Sequence, residues 1–262
     1  MKWAHTIWDN IIPELLYRKK LKELRERDPI HVQQPQSVKQ FYNNLPFPDP
    51  YKIEQLLMFG HSISNPYARL IESQIKNNQT VLDAGCGTGL LTNLLALRHP
   101  DSEFVGVDFS NSIDWAQTFS KQHDLKNANF IKEDLTKINL SQQFDVVICQ
   151  GVLHHIPEYK TVLPLLKKLV KPDGKLILGL YHPAGKIVKK FFNVDYKSNT
   201  LFQDQELHPF EISFTSDQVK QLTQDLNFVQ AYPCILNNFW LPAFFNYKNG
   251  GLVTYIFEKP YD

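Results

Sequence analysis

The chain has 262 residues, 43% of them hydrophobic, and its 28 basic and 27 acidic residues give a formal net charge of +1. This length and composition suit one α/β domain with additions, and the balanced charge gives no global field for a polyanion, so we expect no nucleic-acid partner. No apolar run is long enough for a membrane span, and the chain start lacks the continuous apolar stretch of a signal peptide, so we expect a cytoplasmic protein.

Residues 1–60 form a predicted N-terminal helical cap, which contains repeated prolines. Between Pro13 and Arg27, leucines recur at helical spacing among basic and acidic side chains. This pattern favours a helix packed on the protein's own core, while binding to a membrane surface or to a partner stays the alternative. The main domain is predicted at residues 61–262, and its first helix is expected to begin at Pro66.

The next feature is a turn between an apolar strand end and an apolar helix start, which reads D-A-G-C-G-T-G. Glycine tolerates positive φ and lets the backbone approach a ligand, and the N-terminus of a helix favours an anionic group. We therefore expect a cofactor-binding turn that faces an anionic group, formed by Asp83, Gly85, Cys86, Gly87 and Gly89. A tight turn without a ligand is the alternative.

Two further acidic residues follow predicted strands. The second strand, over residues 103–108, ends in Asp108, whose carboxylate can accept hydrogen bonds from a ribose diol. An exposed acid that caps the next helix is the alternative. Phe109 beside it either packs on a flat base or fills a core. The third strand, over residues 129–132, leads to Asp134.

The second half of the chain continues the alternation of strands and helices. The fourth strand, over residues 144–149, is a near-continuous apolar run, which is typical of a strand covered on both faces. An aromatic-rich insertion over about 183–215 forms either a substrate lid or ordinary core. The other predicted elements are a helix over 162–170, a turn over 171–174, a fifth strand over 175–181, a helix over 216–226, and closing strands over 228–235 and 251–257.

These segments, in this order, resemble the class I, Rossmann-like S-adenosyl-L-methionine-dependent methyltransferases, whose first motif is similar to D-A-G-C-G-T-G. The resemblance covers about residues 61–262 and is dense from 79 to 182. It implies an α/β, doubly wound, mostly parallel seven-stranded sheet with an antiparallel closing strand pair, and S-adenosyl-L-methionine as the cofactor. It also implies that Asp134 and Leu135 lie near the adenine and that Gln150 contacts the cofactor.

The same resemblance implies methyl transfer by in-line displacement to an O or N nucleophile of a small organic acceptor. Because the pKa of histidine lies nearest neutrality, His155, His154 and His182 are the candidate bases, with structural histidines as the alternative. A protein or peptide methyltransferase and a non-catalytic S-adenosylmethionine-binding protein are the other functions left open. The cysteine and histidine spacings predict no metal site, and the sequence leaves the oligomeric state open.

Overall fold

A computed structural model gives the architecture of the chain and describes residues 42–43, 46–61, 66–184, 210–233 and 251–261. The helices are α1 (Ile53–His61), α2 (Pro66–Glu72), α3 (Leu90–Arg98), α4 (Ser112–Gln122), α5 (Tyr159–Leu169) and α6 (Ser216–Leu222). The strands are β1 (Thr80–Ala84), β2 (Glu103–Asp108), β3 (Ala128–Lys132), β4 (Phe144–Gln150), β5 (Val170–Tyr181), β6 (Asn227–Tyr232) and β7 (Leu252–Glu258). The predicted helix over 13–27 and most of the predicted insertion lie outside the described residues.

The strands form one seven-stranded sheet in the order β3-β2-β1-β4-β5-β7-β6. Neighbours from β3 to β5 are parallel, whereas β7 is antiparallel to both β5 and β6. The predicted doubly wound sheet with its antiparallel closing pair is therefore confirmed. Because parallel strands end at one edge of the sheet, the loops after β1 to β5 all meet there.

The core lies on both faces of the sheet, because side chains alternate between the faces along each strand. Leu82 and Tyr255 belong to one buried cluster, which also contains side chains of α5 and α6. Val81 and Ile256, one position away in sequence, belong to a second cluster with side chains of α2 and α3. This two-sided burial explains why β4 is apolar along nearly its whole length.

The described part of the predicted cap packs into the domain. Tyr51 and Leu56 are buried in one cluster with Leu94 of α3 and Phe119 of α4. The boundary expected at residue 60 falls inside α1. Residues 46–61 are therefore continuous with the packing of the main domain.

Element boundaries differ most around the turn predicted over residues 171–174. The structure includes these residues in β5, whose register against β4 shifts from Phe144 opposite Val170 to Val146 opposite Lys175. The N–H of Asp173 donates to the carbonyl of Lys259 at 3.0 Å, which keeps the irregular stretch paired with the chain after β7. Helix α6 also ends earlier than expected, at Leu222.

We expect Gly89→Ala to destabilise the fold more than Gly151→Ala. Both glycines have positive φ, 74° and 78°, so both variants carry the left-handed penalty of about 1–2 kcal/mol. A Cβ at Gly89 would lie 2.6 Å from Ala116 Cβ, whereas a Cβ at Gly151 meets no described atom within 4 Å. Urea unfolding should show an extra loss of about 1–3 kcal/mol for Gly89→Ala. Equal losses would show that the contact with α4 does not require glycine.

Candidate functional site

A cavity of about 760 Å³ lies at the carboxyl edge of the parallel strands. This volume falls within the range of about 300–1,000 Å³ that is usual for small-molecule sites. Its described lining comes from the loops after β1, β2, β3 and β4, from the end of β5, and from helices α1 and α2. The residues after the strands include nearly all of the predicted site.

The glycine turn between β1 and α3 is held by β2. Gly85 N and Cys86 N donate to the carbonyl of Val107 at 2.7 and 3.0 Å, and Gly87 N donates to Asp108 Oδ2 at 2.9 Å. These N–H groups already have protein acceptors, and a carboxylate is one of them. Strand β2 therefore satisfies the N–H groups of these three residues.

The three glycines also make room for other parts of the protein. A Cβ at Gly85 would lie 2.5 Å from Val152, and a Cβ at Gly87 would lie 2.0 Å from the carbonyl oxygen of Phe47. Gly89, whose missing side chain admits α4, is not among the described residues that line the cavity. Glycine at these positions permits close packing of the chain around the turn.

Residues 46–51 form a strap across the glycine turn. Thr88 N donates to the carbonyl of Phe47 at 3.3 Å, and Thr88 Oγ1 donates to the carbonyl of Pro48 at 3.0 Å. The hydroxyl of Tyr51 donates back to the carbonyl of Thr88 at 3.1 Å. Phe47 and Pro48 line the cavity. The sequence analysis did not predict this strap. The prolines before the main domain were the only feature of the sequence that could have indicated it.

Asp83 is a buried carboxyl at the end of β1. Its Oδ2 accepts a hydrogen bond of 2.6 Å from Thr92 Oγ1. Burial raises the pKa of Asp83 to about 6, the Thr92 hydrogen bond opposes that rise, and the charge of Asp108 adds to it. The turn therefore contains an acid that titrates near neutrality.

Asp108 is also buried, so the alternative of an exposed helix-capping acid is wrong. Its Oδ1 accepts from Ser110 N and Ser110 Oγ at 2.8 and 2.6 Å, while Oδ2 accepts from Gly87. Asp134 is similarly fixed, because its Oδ1 accepts from Thr136 N and Thr136 Oγ1, both at 2.8 Å. Both carboxylates line the cavity and keep acceptor capacity for a ligand.

The cavity lining that contains these acids also contains apolar side chains and the thiol of Cys86. Phe109 and Leu135 line the cavity beside Asp108 and Asp134, and Phe109 meets the ring of Tyr42 edge-on at a centroid distance of 6.4 Å. Burial raises the pKa of the Cys86 thiol well above its ordinary value, and the nearby acids Asp83 and Asp108 raise it further. Cys86 is therefore a neutral thiol in the wall.

Of the three candidate bases, His155 is the one that lines the described cavity. Its Nδ1 lies 3.1 Å from the carbonyl oxygen of Phe210. Because a carbonyl oxygen can only accept, Nδ1 carries the proton of the neutral ring and Nε2 carries the lone pair. The hydrogen bond therefore fixes the tautomer that a general base needs.

The other two candidate bases, His154 and His182, are buried outside the described cavity lining. His154 is fully buried, and its ring lies on Tyr181 at a centroid distance of 3.9 Å. His182 Nδ1 accepts a 3.2 Å hydrogen bond from the N–H of Ala184. Within the described ranges, neither residue lines the cavity, and no group of three His, Cys, Asp or Glu residues is arranged to hold a metal. None of the described helices is long and apolar enough to cross a membrane.

A family model described as a methyltransferase domain matches residues 75–230, which is more than half of the chain. The chain belongs to this methyltransferase family. Its members use S-adenosylmethionine, so the comparison confirms the family and the cofactor that the glycine turn indicated. The matched range contains every residue predicted for the cofactor site and for the candidate bases.

Curated relatives of this methyltransferase include ubiquinone biosynthesis O-methyltransferases of Coxiella burnetii. The protein of strain Dugway 5J108-111 is 32% identical over 162 residues, which cover 58% of this chain and 68% of that protein. The proteins of this name from four other strains are 37% identical over 119 residues, and the match spans half of their length.

Solved structures share the fold at low sequence identity. N-methyltransferase NodS from Bradyrhizobium japonicum WM9, in complex with S-adenosyl-L-homocysteine, is 13% identical with a TM-score of 0.57, covering 86% of this chain and 99% of that one. Coclaurine N-methyltransferase, bound to N-methylheliamine and S-adenosylhomocysteine, is 16% identical with a TM-score of 0.55, covering 95% and 94%. At these identities the likeness shows the fold alone.

The residues of the cavity fit the cofactor of the family. Ribose hydroxyls and an exocyclic amine are donors, and the carboxylates of Asp108 and Asp134 are acceptors with capacity to spare. The flat, apolar surfaces of Phe109 and Leu135 suit a nucleobase. Asp83 offers a negative charge that suits a cationic group.

We expect Asp83→Asn to change how stability depends on pH. The pKa of Asp83 rises from 3.8 to about 6 on folding, so the folded state binds the proton more tightly, and stability falls as pH rises through this window. Ionisation of Asp83 costs the folded chain about 3 kcal/mol. The unfolding free energy of Asp83→Asn, relative to the wild type, should therefore rise by about that amount between pH 4 and pH 7.

Asp145→Asn is the matched control, because its stability relative to the wild type should change with pH in the opposite direction. Burial alone would raise the pKa of Asp145, but hydrogen bonds from Lys171 and Thr80 lower it. Its stabilising contribution is present above the ordinary pKa and is lost as pH falls, so the relative stability of this variant should fall from pH 4 to pH 7. A pH-independent difference for Asp83→Asn would show that Asp83 titrates normally.

Proposed function

We propose that this chain transfers the methyl group of S-adenosylmethionine to an O or N nucleophile of a small organic acceptor. One observation carries the proposal: the carboxylate-lined turn and the imidazole of His155 share a single cavity. The proposed cofactor end and a base therefore line the same cavity. The named O-methyltransferase relatives support this reaction class.

The cofactor end is assigned by the chemistry of its side chains. Asp108 would accept from the ribose hydroxyls and Asp134 from the exocyclic amine, with Phe109 and Leu135 against the base. Asp83 would face a cationic group of the cofactor. The remaining predicted wall consists of Gly85, Cys86, Gly87 and Gln150.

Another part of the cavity lining is apolar and aromatic. Met58, Phe59, Tyr67, Tyr181 and Leu252 line it, and the hydroxyl of Tyr67 donates to the carbonyl of Leu252 at 3.0 Å, which ties α2 to β7. Such a wall suits an organic acceptor with an apolar or aromatic surface. The carboxylates in the described lining disfavour an anionic acceptor, so we propose an uncharged or cationic one.

His155 would act as the general base. S-adenosylmethionine supplies a methyl group on a sulfonium centre, which is already a strong electrophile. His155 Nε2 would accept the proton of the acceptor hydroxyl or ammonium, and the freed lone pair of the acceptor would displace S-adenosylhomocysteine from the methyl carbon, so that the carbon–sulfur bond breaks as the new bond forms. Phe47 and Pro48 of the strap and Met58 and Phe59 of α1 line the same cavity, and the contact between His155 Nδ1 and the carbonyl of Phe210 orients the imidazole ring.

Radiolabelled cofactor distinguishes this function from the two alternatives. The chain is incubated with S-adenosylmethionine carrying a labelled methyl group and with a cell lysate, which is then separated by molecular size. We expect label in the small-molecule fraction. Label confined to polypeptide would indicate a protein methyltransferase, and no transfer in the presence of measurable cofactor binding would indicate a binding protein.

We expect His155→Ala to lower turnover by about a hundredfold or more, because a general base contributes about 10²–10⁴. The affinity for S-adenosylhomocysteine should stay nearly unchanged, since this variant keeps Asp83, Asp108 and Asp134, the carboxylates that we assign to the cofactor. His99→Ala is the matched control, because His99 lies outside the cavity lining and faces Glu72 at 3.8 Å. Unchanged turnover in His155→Ala would remove the residue from the chemistry.

A further inference from the structure

Three residues on adjacent strands form a row at the carboxyl edge of the sheet. Gln150 of β4 lies opposite Gly179 of β5, and Gly179 lies opposite Thr254 of β7. The preceding row on the same face contains Ile148, Ile177 and Ile256, all fully buried in one apolar cluster. The face therefore changes from apolar to polar where the cavity begins.

Because Gly179 has no side chain, it leaves space between Gln150 and Thr254 on the two neighbouring strands. A Cβ at this position would lie 2.3 Å from Gln150 Oε1 and 2.8 Å from Gln150 Nε2. Gly179 is not among the glycines with positive φ, so its backbone does not require glycine. Glycine inside a strand costs about 0.5–1 kcal/mol relative to alanine, and it often marks a close approach. Here the group that approaches is the Gln150 side chain.

The Gln150 side chain extends through this space over β5 and reaches the fully buried hydroxyl of Thr254. Gln150 Nε2 donates to Thr254 Oγ1 at 2.8 Å, and Thr254 Oγ1 lies within donating distance of Gln150 Oε1 at 3.2 Å, both across the strand that lies between them. Thr254 is inaccessible to solvent, whereas Gln150 lines the cavity. The bond therefore fixes the orientation of a cavity-facing amide from inside the sheet.

We propose that Thr254 and Gly179 are positioning residues that hold the Gln150 amide for the amino-acid end of the cofactor. An amide offers a donor to a carboxylate and an acceptor to an ammonium, which are the two groups of that end. Gln150 stands on β4 beside β1, whose end carries Asp83. This inference rests on the proposed function, because it takes the cavity to be the cofactor site.

A double-mutant cycle tests the inference through binding of S-adenosylhomocysteine, measured by calorimetry. Thr254→Val is isosteric and removes the hydroxyl with its hydrogen bonding to the Gln150 amide, so we expect the Kd to rise about fivefold to tenfold. In the Gln150→Ala background the same substitution should have no further effect. Thr254→Ser keeps the hydroxyl, so its Kd should be close to that of the wild type. Gly179→Ala should raise the Kd, since its Cβ displaces the Gln150 amide.

Thr223→Val is the matched control, because Thr223 is buried and donates to the carbonyl of Val219 in α6. We expect no change in Kd for this variant. An equal loss for Thr254→Val in both backgrounds, or no loss in either, would overturn the positioning role while leaving the proposed function intact. A wild-type chain that does not bind S-adenosylhomocysteine would overturn both.

Discussion

The site depends on one constraint, which is that β2 satisfies the N–H groups of Gly85, Cys86 and Gly87 in the glycine turn. The carbonyl of Val107 accepts from Gly85 and Cys86, and Asp108 accepts from Gly87. Asp108 therefore has two roles, since it fixes the turn and presents its remaining acceptor capacity to the cavity. A preformed turn needs little ordering when a ligand binds, which favours affinity. Burial at this edge of the sheet raises the pKa of Asp83, and the charge of Asp108 adds to that rise.

The close packing around the turn joins the N-terminal segment to the domain. The carbonyl of Phe47 occupies the space that a side chain at Gly87 would need, and hydrogen bonds with Thr88 fix the strap there. The strap in turn forms part of the cavity wall. The cavity is thus lined by parts of the chain that are distant in sequence, including Tyr67 on α2 and Leu252 on β7.

The sequence predicted the sheet, and most of the site residues that it predicted line the cavity, because parallel strands place successive carboxyl ends at one edge. The acids Asp108 and Asp134 follow directly from that rule. The row from Gln150 to Thr254 was not predictable, since it depends on the register of an antiparallel strand that a long connection separates from β5. The carbonyl of Phe210 was also missed, because any residue carries a carbonyl and sequence gives no signal for it. The glycine turn was predicted from the sequence, but the hydrogen bonds from its N–H groups to Val107 and Asp108 of β2 were not.

The most direct test of this account is a crystal structure of the chain with S-adenosylhomocysteine. The account predicts the nucleoside between Asp108 and Asp134, with the Gly87 N to Asp108 Oδ2 bond retained near 2.9 Å and the turn unchanged. A nucleoside bound elsewhere, or a turn that releases Asp108 to bind it, would contradict the claim that β2 preforms the site.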